Sequence, residues 1–176
     1  MIQNKNPNKA TFANGCLWRS QHFRNVKGIL NVTNGYSGGF VVNPTYEEVL
    51  DRNTGHALSL MIEYDPNEIR YENLLELFWQ SHDPTSLGSQ RQYLGPQYRS
   101  IIFYHNESQK EKALLYKKKL NESGLFDLPV VTLIEAFTNF YPAEDQQSNY
   151  QSIHKKSNCT HTIKSKSEKI KSIFSF

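Results

Sequence analysis

The sequence predicts an α+β fold, one sheet with helices packed against it as a two-layer sandwich. Three observations lead there. Segments with the two-residue period of strands take turns with segments of helical period along the 176 residues. The stretch "ALSLMIEYD" (57–65) puts Leu58, Leu60, Ile62 and Tyr64 on one side of a strand. The stretch "PNEIRYENLLELFWQSHDP" (66–84) puts Leu74, Leu75, Phe78 and Trp79 on one side of a helix. The chain is short and its loops are long, which points to one sheet with helices packed against it.

The elements follow in order. "KATFA" reads as a strand that ends at Asn14-Gly15, with a helix from about Cys16 to Asn25. "ILNVTNGYSGG" is a strand dissolving into a glycine-rich loop. "NPTYEEVL" opens a helix, with Asn43 as cap and Pro44 at the first helical position. The strand at 57–65 and a helix from about Tyr71 come next. "TSLGSQRQYLGPQYR" is expected to be an irregular loop, and "SIIFYH" a strand. "ESQKEKALLYKKKLNES" is an amphipathic helix, with Glu107 at its start and lysines toward its end, as the helix dipole favours. "PVVTLIEA" is a strand, and a last helix opens near "YPAEDQQSNY".

Composition narrows the function. Apolar residues make up 38% and aromatics 12%, enough for a real core. No run of eighteen apolar residues exists to span a membrane. The start, "MIQNKNPNKA", lacks the apolar stretch of a secretory signal, so the expected compartment is the cytoplasm, where thiols stay reduced. The residues from Gln151 onward hold six lysines and one glutamate, a net of +5. The formal total is +3, which leaves −2 for residues 1–150. Residues 1–160 are expected to form the domain and 161–176 a flexible basic Lys/Ser-rich tail. No basic patch accompanies the aromatics elsewhere, so neither nucleic acid nor membrane is an expected partner.

Two cysteines cannot staple a fold of this size, and they lack the spacing of a zinc site. A reactive thiol, a redox pair and two inert cysteines remain open. Cys16 stands where a strand gives way to a helix, in "TFANGCLWRSQHF". Unpaired N–H groups and the positive dipole end at a helix start favour the thiolate, which is the nucleophile. Gly15 leaves room for a substrate, and Trp18 offers a flat apolar wall. The competing reading makes Cys16 a small buried hydrophobe and Trp18 part of the core. Cys159 lies among serine, lysine and asparagine, as an exposed thiol would.

"GCLW" (15–18) resembles the GCFW signature of the A-type peptide methionine sulfoxide reductases. "GYSGG" (35–39), "NPTYEEV" (43–49), "TGHA" (54–57), "YDP" (64–66), "HDPT" (82–85), "QYRSIIFYH" (97–105) and "FYPAED" (140–145) resemble further blocks of that family in the same order, over roughly residues 9–160. The resemblance implies a ferredoxin-like core with a mixed sheet. It implies reduction of methionine S-sulfoxide by Cys16, which becomes a sulfenic acid, and a disulfide with Cys159 as the resolving thiol. Thioredoxin or another dithiol would restore the pair. It places Leu17 and Trp18 against the substrate's methyl group and the Tyr46 and Tyr98 hydroxyls on the sulfoxide oxygen. It implies no metal or organic cofactor, and oxidised proteins or free methionine sulfoxide as substrate; a monomer is the default expectation.

The sequence departs from that family at several places. Leu17 replaces the phenylalanine of the signature, and Arg19 stands where one branch has a second cysteine. Gln21, Leu58 and Tyr93 stand where the family has acids, and Gln147 where it has a histidine. Leu58 matters most, because the glutamate there is the family's proton donor and leucine cannot donate. Two readings therefore stay open from sequence: a reductase with another proton source, or a relative without turnover that binds oxidised methionine or senses redox state.

Overall fold

The structure is a computed structural model that describes residues 7–15, 20–90, 93–144 and 164–174. Eight strands occur among these residues: β1 (Asn8–Asn14), β2 (Ile29–Ser37), β3 (Ala57–Tyr64), β4 (Ser89–Gln90), β5 (Tyr93–Leu94), β6 (Ser100–Tyr104), β7 (Leu133–Ala136) and β8 (Tyr141–Pro142). The helices are α1 (Gln21–Arg24), α2 (Tyr46–Leu50), α3 (Tyr71–Gln80), α4 (Glu107–Glu122) and α5 (Lys164–Phe174).

Six strands form one sheet in the order β7-β6-β1-β3-β2-β8, and β4-β5 form a separate hairpin. The four central strands pair antiparallel. With α1 between the first two and α3 between the last two, they make the βαββαβ pattern of a ferredoxin-like core. β7 pairs parallel to β6, which makes the sheet mixed. A parallel neighbour cannot be reached by a tight turn, and α4 supplies the crossover.

The alternation along the strands decides the layers. Ala10 and Phe12 of β1, Leu60 and Ile62 of β3 and Ile102 of β6 are buried against Leu74, Leu75, Phe78 and Trp79 of α3 and Tyr116 and Leu120 of α4. Phe12 stacks on Phe78 at 4.9 Å between ring centres. On the other face Ala13, Ala57, Ile101 and Phe103 form a smaller cluster with Phe137. Residues 137–140 cross that face and tie β7 at one edge to β8 at the other. Ser37 Oγ donates to the Asn139 carbonyl at 2.5 Å, and the Gly38 N–H to Asn139 Oδ1 at 3.1 Å.

Several local expectations are corrected. The cap of α2 is Thr45 rather than Asn43. Asn43 adopts φ 49°, a left-handed turn conformation, whereas Thr45 is extended and its hydroxyl accepts the Glu48 N–H. Residues 85–99 contain the β4-β5 hairpin and a 3₁₀ turn, Pro96–Tyr98, rather than a loop alone. The strand expected over 129–136 is limited to Leu133–Ala136. "YPAED" begins with β8, not a helix, and residues 145–163 lie outside the described residues.

The largest correction concerns the Lys/Ser-rich end. Residues 164–174, expected within a flexible tail, are helix α5, with Ile170 fully buried and Phe174 nearly so. Phe174 packs on Trp79 at 5.8 Å and on Tyr116 at 4.6 Å between ring centres. Composition pointed to a solvated segment. "KSKSEKIKSIF" nevertheless spaces Ile170, Ile173 and Phe174 on one stripe, and a groove between α3 and α4 receives it.

Candidate active site

Four strand ends meet at one end of the sheet. Asn14 at the end of β1 faces Ser100 at the start of β6. Tyr36 near the end of β2 faces Leu58 near the start of β3. The chain leaves β1 through Gly15 at φ 85°, a left-handed conformation that glycine enters without a Cβ clash. Cys16 follows in sequence. Cys16, Leu17, Trp18 and Cys159 lie outside the described residues.

The other predicted residues can be placed. Tyr46 is the first residue of α2, and Tyr98 closes the 3₁₀ turn that precedes β6. Both are partly buried against Tyr36, Val49, Leu58 and Ala143, together with Tyr141. The fold therefore brings together Tyr46, Tyr98 and Leu58 from separate parts of the sequence. Leu58 is 3% exposed, so the position is dry. Gln21, the first residue of α1, is exposed. Tyr93 opens β5 and pairs with Gln90.

Each tyrosine is delivered by a braced loop. The segment leading to Tyr46 is built on His56, which is buried. Its Nδ1 accepts the Gly39 N–H at 3.0 Å, so its Nε2 carries the proton and donates to the Val41 carbonyl at 2.8 Å. A Cβ on Gly39 would strike the backbone of Thr54 and His56, so only glycine lets the two segments approach this closely. The turn holding Tyr98 is stapled by Arg99, whose guanidinium donates to the carbonyls of Pro96 (2.8 Å) and Gly55 (2.9 Å). Burial lowers the pKa of this guanidinium, and the charge of Glu135 opposes that without cancelling it.

Below the end of β1 lies a buried polar network. Asn14 Nδ2 donates to Ser81 Oγ at 2.9 Å, and the Ser81 hydroxyl donates to the Phe78 carbonyl at 2.6 Å. His82 bonds the same carbonyl through Nδ1 at 2.9 Å and the Ser100 hydroxyl through Nε2 at 2.6 Å. Ser100 continues to Thr132 at 2.9 Å. This network locks the C-terminal end of β1 to the end of α3 and the start of β6.

The sequence reading did not single out Tyr36, His82 or Glu144. The Tyr36 hydroxyl donates to Glu144 Oε2 at 2.8 Å, and the Tyr46 N–H donates to Glu144 Oε1 at 2.9 Å. Burial, then the bond to Glu144 and its charge, push the Tyr36 hydroxyl far above the usual tyrosine range. It is therefore a hydrogen-bond donor at any physiological pH. All three residues stood inside recognisable motif blocks, but nothing along one sequence shows which of them meet.

On a ferredoxin-like α+β scaffold, tyrosines gather at the end of the sheet where Cys16 follows β1 in sequence, an arrangement suited to thiol chemistry. Comparison with known proteins narrows the class. The sequence model described as "Peptide methionine sulfoxide reductase" matches residues 8–175. The peptide methionine sulfoxide reductase MsrA of Methanosarcina acetivorans is 48% identical over 143 residues, 81% of this chain and 76% of that protein. The MsrA of Picrophilus torridus is 44% identical over 164 residues, 92% of each. Among solved structures, reduced Mxr1 from Saccharomyces cerevisiae superposes with a TM-score of 0.77 at 26% identity, covering 89% of this chain and 91% of that one. Mxr1 has also been solved in complex with Trx2. The chain belongs to the peptide methionine sulfoxide reductase family. The reading of a binder or sensor without turnover is not favoured.

Proposed function

We propose that this reductase acts on methionine S-sulfoxide through Cys16, with Tyr46 and Tyr98 holding the sulfoxide oxygen and Leu17 and Trp18 walling the methyl group. The observation that carries the reading is the convergence of Tyr46 and Tyr98 around Leu58 at the end of the sheet where Cys16 follows β1. The Cys16 thiolate attacks the sulfoxide sulfur and forms an S–S bond. Two protons reach the oxygen, the S–O bond breaks, and water leaves. Water then attacks the cysteine sulfur and loses a proton, the S–S bond breaks, methionine leaves and a sulfenic acid remains. Two electrons have passed from Cys16 to the substrate sulfur.

Cys159 resolves the sulfenic acid: its thiolate attacks the Cys16 sulfur, the S–O bond breaks as a proton from solvent reaches the hydroxyl, water leaves, and a Cys16–Cys159 disulfide forms. Both flanks of the segment carrying Cys159 support this role. Glu144 before it touches Tyr46. Ser167 after it bonds Gln80 at 3.3 Å. Gln80 is next to Ser81, which binds Asn14. A dithiol of the thioredoxin type then exchanges with the disulfide. The reducing cytoplasm is the fitting compartment. The substrate is oxidised protein or free methionine sulfoxide, and the protein works as a monomer.

Position 58 shapes the proton supply. His56 is no substitute donor, because both its ring nitrogens are engaged with backbone. The protons come from water organised by the Tyr46 and Tyr98 hydroxyls. The test is turnover of an S-epimer methionine sulfoxide peptide with dithiothreitol. Wild type turns over, Cys16→Ser does not, and Leu58→Glu raises kcat by at least about 10-fold, since a positioned acid contributes roughly 10²–10⁴-fold. Turnover by Cys16→Ser would remove the nucleophile assignment. An unchanged rate in Leu58→Glu would show that proton supply is not governed from position 58.

A further inference from the structure

Glu144 joins three elements. It follows β8, whose neighbouring Ala143 donates its N–H to the Asn34 carbonyl at 2.9 Å and so pins the backbone to β2. One carboxylate oxygen accepts the Tyr36 hydroxyl, 108 residues away in sequence. The other accepts the backbone N–H of Tyr46, 98 residues away. That N–H opens α2. Thr45 and Glu48 satisfy each other's backbone N–H groups in a capping box, which does not serve the Tyr46 N–H. Tyr36 is fully buried and stands opposite Leu58, so its hydroxyl gives the carboxylate a fixed point beneath the cluster.

We propose that Glu144 is a positioning residue for sulfoxide binding, acting through Tyr46. The carboxylate sets where α2 begins, and so where the Tyr46 hydroxyl sits. This rests on the reading that Tyr46 holds the sulfoxide oxygen. An alanine at 144 frees the first residue of α2 from β2 and strands the Tyr36 hydroxyl. A glutamine keeps the shape and one carbonyl oxygen for a donor, so it restores part of the effect.

The experiment uses the full chain, with Glu144→Ala, Glu144→Gln, Tyr46→Phe and the double variant Tyr46→Phe/Glu144→Ala. Turnover of the S-epimer peptide with dithiothreitol is measured for each, so that recycling does not depend on a protein dithiol. Glu144→Ala is expected to lower kcat/KM about 10-fold, as misplacement of a binding group does, and Glu144→Gln to recover part of the loss. In the Tyr46→Phe background the same Glu144→Ala change should cost less than about twofold. A merely structural role would cost the same factor in both backgrounds, and that result overturns the proposal. So does full activity of Glu144→Ala in the wild-type background. An unaffected Tyr46→Phe single variant would instead sink the reading of Tyr46, and this proposal with it. Should Glu144→Ala fail to fold, Glu144→Gln alone and with Tyr46→Phe carries the same comparison.

Discussion

His105 shows how one side chain can couple this fold to pH. Its Nε2 bonds Thr11 Oγ1 at 2.9 Å, and its ring stacks on Phe137 at 4.2 Å between centres. Burial, and then the charge of Lys9, lower its pKa below the usual histidine value. The native state therefore prefers neutral His105, while in the unfolded chain the ring protonates near pH 6.5. Between those two pKa values the unfolded state binds more protons, so stability rises with pH. The contribution is complete above about pH 6.5 and is lost as the pH falls toward the folded value. Thermal midpoints from pH 7.5 to 5.5 should fall for wild type and fall less for His105→Gln, which keeps a partner for Thr11. Parallel curves for the two proteins would remove His105 as the cause. His56 makes the opposite point. Its two backbone bonds absorb both ring nitrogens, so a histidine in a recognisable motif turns out to build a loop.

Helix ends and helix faces obey local rules here, with one exception in placement. α2 is short and starts on a capping box. α4 starts on Asn106, whose side chain accepts the Gln109 N–H at 2.9 Å. α5 has neither an acidic first turn nor a run of apolar residues, and it holds through a few contacts with α3 and α4. Removing the Phe174 ring should cost roughly 3 kcal/mol, at the low end for a buried Phe→Ala change because the site lies near a helix end. Lys169→Ala, on the exposed side, should change stability by less than about 0.5 kcal/mol. Urea unfolding with matched slopes checks both. Equal midpoints for Phe174→Ala and wild type would mean that α5 does not share in the cooperative core.

On the scale of the whole molecule, one crossing segment ties the sheet's outer strands together. After β7 the chain passes over the face opposite the helices and joins β2 through β8. Asn139 is the fastener, accepting the Gly38 N–H and donating to the Gly39 carbonyl at 2.8 Å. These bonds hold the start of the loop that leads to Tyr46, and they precede Glu144 by five residues. Asn139→Ala should therefore cost about 1–3 kcal/mol of stability through lost and stranded hydrogen bonds. It should also lower kcat/KM at temperatures where the variant is fully folded. Unfolding curves and peptide turnover test this together, and a stability loss with unchanged kcat/KM would separate the crossing segment from the site.

The sequence by itself determined the strand and helix periods, the place of Cys16 after the first strand, and the motif blocks that led to the family. These are local signals: a period of two or of 3.6, a glycine at a turn, a short run of fixed residues. Leu58, Leu60, Ile62 and Tyr64 do share one buried face, as their spacing required. The sheet order, the docking of α5 and the bridge from Glu144 to Tyr36 and Tyr46 came only from the tertiary structure. Each joins residues far apart along the chain, such as Phe12 with Leu60 in the sheet, Tyr116 with Phe174 at α5 and Tyr36 with Glu144 at the bridge, and a single sequence carries no trace of which distant groups meet. The tail was misjudged for the same reason. Its lysines and serines describe what water sees, while the groove that buries Ile170 and Phe174 is made by α3 and α4.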